Sequence, residues 1–359
     1  MRALASIKTI SELQSIPNKD RIELATIDGW HVIVKKDEFV VNSKCIYIEI
    51  DSVLPDKPEF EFLRKNNFRI KTMKMAGAIS QGICFPLSIL PSKSKGEYAI
   101  NEDVTDLLGI KQYEATMDKE SDIKPSVKCK YPKFLMKMVW FRKLLSKKEY
   151  KGFPTFISKT DETRIQNIPF ILQDKKEWVA TEKIDGQSGT FCLVKHKSKL
   201  PFIKSKFEYI VCSRNLRLFG KDNSSYWQVS DKYRIKEALI NMIGDRDWIA
   251  LQGECISPSV QGNKYKVLNV DFYAFNVIYP TGRLGSEIAQ CICNQHGIKF
   301  VPIISTNYIL PDTVDELLTQ AHAQSQIGDT LREGLVFRSK DGKQSFKAVD
   351  PLFLLKYDE

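Results

Sequence analysis

The sequence predicts a small all-β barrel followed by a larger α+β domain with mainly antiparallel sheets. Three observations predict it. Six short β-branched or alternating runs crowd the first 110 residues, separated by turn signals. Beyond Phe153, strand-like runs are interspersed with helical ones without a strict β-α alternation, the pattern of an α+β domain. At 359 residues the chain exceeds one ordinary core, so two domains are expected. The expected organisation is residues 1–110, a basic linker over 111–152 and a second domain over 153–359.

In the first region the strand-like runs are Leu4–Ile10, Ile22–Ile27, Trp30–Lys35, Cys45–Ile50, Ile70–Met75 and Ile79–Phe85. Asp28-Gly29 between the second and third is a hairpin signal. Short strands at this density suit a closed barrel, and an OB-fold fits the size. Arg64, Lys65, Arg69, Lys71 and Lys74 cluster near one strand, where they form either a groove for a nucleic-acid backbone or a solvated basic face. From Asn101 to Lys128 periodicity fades. In Lys124–Lys151, ten basic residues meet one acid, Glu149, and Phe134, Met138, Phe141 and Leu145 recur at helical spacing. A basic amphipathic helix is expected there. It packs on a neighbouring domain, assists nucleic-acid binding or touches a membrane surface.

The second domain is expected to hold strands at Glu177–Glu182, Gly189–Val194 and Tyr209–Ser213, a helix over Tyr226–Met242, and strands at Trp248–Ile256 and Asp271–Tyr279. A helix at Ser286–Gln295, a strand at Lys299–Ile304, a helix at Val314–Gln324 and strands at Gly334–Arg338 and Ser345–Val349 follow.

Composition bounds the function. With 43% hydrophobic and 27% charged residues the chain is globular, and no apolar run approaches the roughly 20 residues that span a bilayer. The first ten residues lack the apolar core and cleavage site of a signal peptide. An intracellular protein, cytoplasmic or nuclear, is expected, with no membrane partner. A net charge of +10 points to a polyanion, nucleic acid first. Cys45, Cys84, Cys192, Cys212 and Cys255 lie in apolar runs, as buried thiols do, and Cys291, Cys293 and His296 lack the second ligand pair of a zinc finger.

The chemistry centres on Glu177–Phe191. A β-rich run delivers Glu182 and Lys183 and then turns at Asp185-Gly186, which places a lysine at a strand end beside a carboxylate and a glycine. An amine attacks phosphorus only when positioned and deprotonated, and Gly186, lacking a Cβ, lets backbone approach a phosphate. Alone this is weak, since such turns are common. Neither GxGxxG nor GxxxxGK[ST] is present, so the commonest phosphate loops are absent. Further polar residues end later apolar runs: Ser213-Arg214-Asn215, Gly253-Glu254, Glu333-Gly334 and Ser345-Phe346-Lys347.

In this order the pieces resemble the motifs of the covalent nucleotidyltransferases, the ligases and RNA capping enzymes. Lys183-Ile184-Asp185-Gly186 resembles the nucleophile motif, Leu251–Glu254 the third, Phe272–Phe275 the aromatic one, Glu333–Val336 the fourth and Ser345–Lys347 the fifth. Ser213–Asn215 and Gly253–Tyr265 are closer to RNA ligases. Ile16–Leu54 is similar to the amino-terminal OB module of the fifth RNA ligase family, and Phe153–Pro169 to the segment that leads into catalysis there.

The resemblance implies an ATP-dependent RNA ligase that joins RNA 3′-OH and 5′-phosphate ends through lysyl-AMP and adenylylated RNA, in RNA repair. Lys183 is then the nucleophile, and Lys347 a second catalytic lysine that neutralises phosphate, with Lys356 as a further candidate. Asp185, Glu254 and Glu333 are expected to hold Mg2+ or Mn2+, largely through water. Phe275 stacks on adenine with Val336 covering its other face, Arg214 meets a phosphate, and Glu182 and Gly186 complete the nucleotide site. Asn276 stands where an acid often follows the stacking aromatic, so no metal role is expected there; Asp271 is the substitute candidate. A monomer is expected. A capping guanylyltransferase and a DNA ligase share the lysine chemistry but normally carry their OB domain after the fifth motif, whereas only Ala348–Glu359 follow Lys347 here. A catalytically silent RNA-binding protein would have no need of the lysine.

Overall fold

The computed structural model describes residues 3–92, 97–113, 152–196, 206–219 and 224–357. The expected basic helix over Lys124–Lys151 lies outside the described residues.

The first region forms β1 (Ala5–Thr9), β2 (Glu12–Ser15), β3 (Ile22–Ile27), β4 (Trp30–Lys35), β5 (Lys44–Ile48), β6 (Ser52–Val53), β7 (Thr72–Met75), β8 (Ala78–Gln81), β9 (Ile83–Phe85) and β10 (Lys111–Gln112), with a short helix α1 (Thr105–Leu108) before β10. They pair antiparallel as β1-β5-β9, β2-β3-β4, β7-β8 and β10-β6. Ile33 N–H donates to Ser80 Oγ at 3.0 Å, tying β4 to β8. The β3–β4 hairpin turns at Asp28, whose φ of 52° is the left-handed geometry a tight turn needs. Around Ile7, Ile27, Trp30, Ile46 and Ile48 the strands enclose one apolar core. Val349, Phe353 and Leu354 from the far end of the chain belong to that core as well.

Six strands of the second region form one sheet in the order β14-β13-β12-β15-β16-β17: β12 (Gln187–His196), β13 (Lys206–Cys212), β14 (Arg217–Leu218), β15 (Trp248–Ile256), β16 (Asp271–Tyr279) and β17 (Gly282–Arg283). Four form a second, in the order β18-β11-β19-β20: β11 (Glu177–Lys183), β18 (Ile303–Ile309), β19 (Gly334–Ser339) and β20 (Ser345–Val349). Every pairing within these two sheets is antiparallel. The helices are α2 (Ser225–Lys232), α3 (Ile235–Ile243), α4 (Ser286–Gln295), α5 (Val314–Ala321) and α6 (Pro351–Tyr357). A capping box fixes the start of α5, where Thr313 and Glu316 bond each other's backbone. Among the described residues no helix is long and apolar enough to cross a membrane.

Three expected elements differ. The strand over Ile79–Phe85 is two, β8 and β9 in different sheets, with Gly82 at a φ of 110° between them. The single helix over Tyr226–Met242 is two, because Arg234 takes a left-handed φ of 46° between them. The strand expected at Lys299–Ile304 is split: Phe300 bridges Ala274 of the larger sheet, then Pro302, with no N–H to donate, ends that pairing and β18 joins the smaller sheet. Within the basic cluster on the barrel, both arginines are paired with carboxylates. Arg64 binds Asp56 at 2.6 Å and Glu61 at 2.7 Å, and Arg69, only 14% exposed, faces Asp51 at 3.4 Å and stacks on Tyr113.

Candidate active site

β11 delivers the lysine. Across the smaller sheet Thr181 pairs with Val336, Val336 with Lys347, and Lys183 with Gly334. Side chains alternate along strands, so Lys183, Val336 and Lys347 share one face. Glu182 points the other way, where Ser325 Oγ donates to it at 2.5 Å and Gln326 N–H at 2.9 Å. Burial holds its pKa above the usual carboxylate value against those two bonds. The structure therefore does not bring Glu182 into the cluster around Lys183.

Lys183 Nζ donates to Glu333 Oε2 at 2.6 Å. Burial lowers the lysine pKa, but the charges of Glu333, Glu254 and Asp185 outweigh it and the pKa ends above the ordinary value. Glu254 enters from β15, opposite Ser188 and Tyr273. Its pKa is pushed up to about 8, chiefly by burial, with Glu333 and Asp185 adding to the rise and Lys183 and Arg214 opposing it. Asp185 forms an ion pair with Lys264, and its backbone N–H donates to Tyr265 Oη at 2.8 Å. Three carboxylates thus stand near one protonated lysine, with Lys264 as a second cation that the sequence reading missed. The Asp185–Lys264 pair spans a long stretch of chain, and the only available signal was the position of Lys264 inside the Gly253–Tyr265 motif.

Close packing also constrains Gly186. A Cβ there would lie 2.6 Å from Cys255 O and 3.0 Å from Glu254 Cγ, so the turn is packed against β15. Gly253 is equally constrained, because a Cβ would fall 2.3 Å from the Phe272 ring.

Phe275 sits at a bulge. Gln252 pairs with Asn276 but Gly253 with Ala274, which leaves Phe275 as the extra residue of β16. A bulge of this kind re-aims a side chain beside a site. The Arg338 guanidinium, 3% exposed, lies 5.7 Å from its ring. Burial pulls the Arg338 pKa down to about 10 despite Glu162. Asn276 Nδ2 donates to Gln252 Oε1 at 2.9 Å, and Asp271 is engaged by Lys299 at 2.6 Å, by Lys232 and by Tyr233.

Residues 158–163 run between both sheets. Ser158 O accepts from Gln252, Thr160 bonds Ser188 at 2.7 Å, Asp161 pairs with Arg214, Glu162 accepts from Ser345 at 2.6 Å, and Thr163 O accepts from Lys347 N–H at 2.8 Å. Arg214 is thus held by a carboxylate at the site's edge, 41% exposed. Lys356 is exposed on α6, 5.2 Å from the Tyr357 ring.

Among the described residues no group of three or more His, Cys, Asp or Glu side chains is placed to grip a metal directly. The oxygen-only donors Asp185, Glu254 and Glu333 instead suit a hydrated Mg2+ or Mn2+, held through its water.

Two antiparallel sheets with a strand-end lysine among carboxylates are the architecture of the covalent nucleotidyltransferases, and the chain falls in that class. Comparison with known proteins narrows it. A family model described as an OB-fold domain matches residues 4–87, and one described as RNA ligase matches residues 176–357. Solved structures of Naegleria gruberi RNA ligase align over nearly the whole chain. With pyrophosphate, that ligase is 31% identical, with a TM-score of 0.79 over 100% of this chain and 99% of that one. A glutamate-to-alanine variant with ATP and Mn is 30% identical, with a TM-score of 0.79 and 100% of both chains covered. A lysine-to-alanine variant with ATP and Mn is 30% identical, with a TM-score of 0.78 over 99% of this chain and 98% of that one. No curated protein sequence matches the chain significantly. The chain belongs to the RNA ligase family, with an OB-fold module ahead of its nucleotidyltransferase domain.

Proposed function

We propose that this protein is an ATP-dependent RNA ligase that seals RNA 3′-OH and 5′-phosphate ends, with Lys183 as the residue that carries AMP. The observation that carries this reading is the placement of Lys183 2.6 Å from Glu333, on the same sheet face as Val336 and Lys347. The related ligase was solved with ATP and Mn, with AMP and Mn and with pyrophosphate, the substrate, metal and product of such a step. The lysine and aspartate replaced in two of its variants have the separation of Lys183 and Asp185, and the glutamate and lysine replaced in two others that of Glu333 and Lys347.

In the first step Lys183 Nζ, after losing a proton to solvent, forms a bond to the α-phosphorus of ATP while the bond to the β-phosphate oxygen breaks and pyrophosphate leaves. Lys183 is held protonated by three carboxylates. A divalent cation supplies positive charge that offsets those carboxylates and the phosphates. Asp185, Glu254 and Glu333 orient its water; Lys347 faces the phosphates, and Phe275 and Val336 bracket the base. An oxygen of the RNA 5′-phosphate then takes the AMP from Lys183. In the last step the RNA 3′-OH attacks the 5′-phosphorus and AMP departs, leaving a phosphodiester. Arg214 is freed for an RNA or nucleotide phosphate when it exchanges Asp161 for that anion. The protein acts as a monomer inside the cell.

Sealing of nicked duplexes with an RNA or a DNA strand at the 3′-OH side, with ATP or GTP supplied, tests this reading. Sealing that needs ATP and favours the RNA 3′-OH end supports it. Indifference to the sugar contradicts the RNA assignment, and use of GTP in place of ATP contradicts the nucleotide assignment.

A further inference from the structure

The segment Gln261–Lys266 is built in a way that the adenylylation chemistry described so far does not account for. Gln261, Gly262, Asn263 and Lys266 all have φ between 47° and 64°, the left-handed region that non-glycine residues seldom occupy. Three such non-glycine residues within six positions cost conformational energy, and backbone strain of this kind collects at functional sites. The Asn263 side chain holds the loop closed, donating to Val267 O at 3.0 Å and accepting from Val267 N–H at 2.9 Å.

What the loop gains is the placement of two neighbouring side chains on the turn after Lys183. Tyr265 Oη receives the Asp185 N–H, and the Lys264 ammonium meets the Asp185 carboxylate. Both charged partners are buried, with side chains 9% and 8% exposed, so neither charge is satisfied by bulk water. The other side of Lys264 faces aromatic rings, lying 5.0 Å from the Phe353 centroid and 4.8 Å from that of Tyr357. Both rings belong to α6, and Phe353 is part of the barrel's core.

Resting on the ligase reading above, we propose that Lys264 is a positioning residue for adenylyl transfer: a resident cation that fixes Asp185 beside the nucleophile and limits how tightly the carboxylate cluster holds a divalent ion. Its ammonium and the metal draw on the same negative charge. The cluster of Asp185, Glu254 and Glu333 therefore never faces the ion with its full charge, which leaves the ion exchangeable between rounds of reaction. Lys264 acts through Asp185, the carboxylate it pairs with. Its seat between Phe353 and Tyr357 also makes it the point at which the barrel and α6 bear on the nucleophile turn.

The test uses the full-length protein with Lys264→Gln, which keeps a hydrogen-bond donor for Asp185 but removes the charge, and Lys264→Arg, which keeps the charge. Mn2+ binding to nucleotide-free protein is read by electron paramagnetic resonance, the Mn2+-induced rise in melting temperature by thermal unfolding, and transfer by label retained from ATP at saturating Mn2+. The expected result for Lys264→Gln is several-fold tighter Mn2+ binding, a larger Mn2+-induced rise in melting temperature, and transfer slowed on the order of 10-fold. Lys264→Arg restores binding and transfer towards the unaltered protein. Unchanged Mn2+ binding in Lys264→Gln overturns the proposal, as does a loss of transfer that is equal in the Gln and Arg variants, which is the mark of a purely structural side chain. If the unaltered protein takes no AMP from ATP, the ligase reading fails, and the Mn2+ comparison still decides the role of Lys264.

Discussion

Glu254 shows how the site trades stability for chemistry at the level of one side chain. Its folded-state pKa is raised from the usual carboxylate value to about 8, mainly by burial. An acid whose pKa rises on folding binds more protons in the folded state, so its contribution to stability falls as pH rises from about 4.5 through 8. Replacement by Gln removes that penalty. Without metal, Glu254→Gln is therefore expected to melt a few degrees higher than the unaltered protein at about pH 8.5 and to lose that advantage near pH 4. The same variant is expected to lose adenylylation. Melting curves at the two pH values check the sign, and a lower melting temperature at alkaline pH contradicts it. At this scale the sequence was informative: Lys183, Asp185 and Glu333 stand at or just beyond a strand end and Glu254 two residues inside one, and the fold brings the four together, with Lys347 mid-strand on the same sheet face as Lys183. It was silent about Lys264, Glu162 and Arg338, because an ion pair or ring contact between distant segments leaves no local spacing. Glu182, adjacent to Lys183 in sequence, projects from the opposite face of the strand, a placement that adjacency alone does not reveal.

At the level of elements, the turn after β11 and the strand β15 are fitted together without slack. Gly186→Ala sets a Cβ against Cys255 O and Glu254 Cγ, and because one of those atoms is backbone, β15 must move. Overpacking of this kind costs about 1–3 kcal/mol. The expected outcome is a lower melting temperature together with loss of AMP transfer, since the displaced strand carries Glu254; thermal unfolding and label retention measure the two effects. An Ala variant with unaltered stability contradicts the packing argument. Strand positions were legible because β-branched alternation records a half-buried sheet, and β3, β4, β15, β16 and β20 begin and end as the pattern predicts. β2 escaped notice because three of its four residues, Glu12, Gln14 and Ser15, are polar and exposed, which leaves Leu13 as its one apolar position. The break between α2 and α3 was equally hidden, since Arg234 is an ordinary helix former and only its backbone geometry ends the helix.

Across the whole molecule, the barrel is seated on the nucleotidyltransferase domain by specific contacts. Trp30 Nε1 donates to Asn167 at 2.6 Å, Asn167 Nδ2 donates to Glu49 at 2.8 Å, and Gly29 N–H donates to Gln166 O at 3.0 Å. His31 meets Asp315 of α5 at 3.0 Å, and this hydrogen bond is the main reason its pKa is raised; burial opposes the rise, while the charges of Asp315 and Glu12 add to it. A histidine whose pKa rises on folding adds stability that is fully present below about pH 6.5 and is lost as pH climbs through the folded value. With Asp315 65% exposed the pair is worth at most about 1 kcal/mol. His31→Asn is thus expected to melt slightly below the unaltered protein at about pH 5.5 and level with it near pH 9. A gap that widens with pH contradicts the assignment. The sharing of Phe353 and Leu354 between α6 and the barrel core has a further consequence. Removing the barrel uncovers those side chains, so the nucleotidyltransferase domain alone is expected to be less stable, beyond any loss of RNA grip. Domain count and order were readable from strand density, but a core completed by residues more than 300 positions away was not.

The central claim is that AMP is carried on one particular lysine. The most direct measurement is to incubate the protein with ATP and Mn2+, digest it, and locate the adenylate by mass spectrometry. The adduct is predicted on the peptide that contains Lys183 and nowhere else, and to vanish in Lys183→Ala while that variant retains its fold. An adenylate on Lys347 or Lys264, or one that survives Lys183→Ala, would contradict the account.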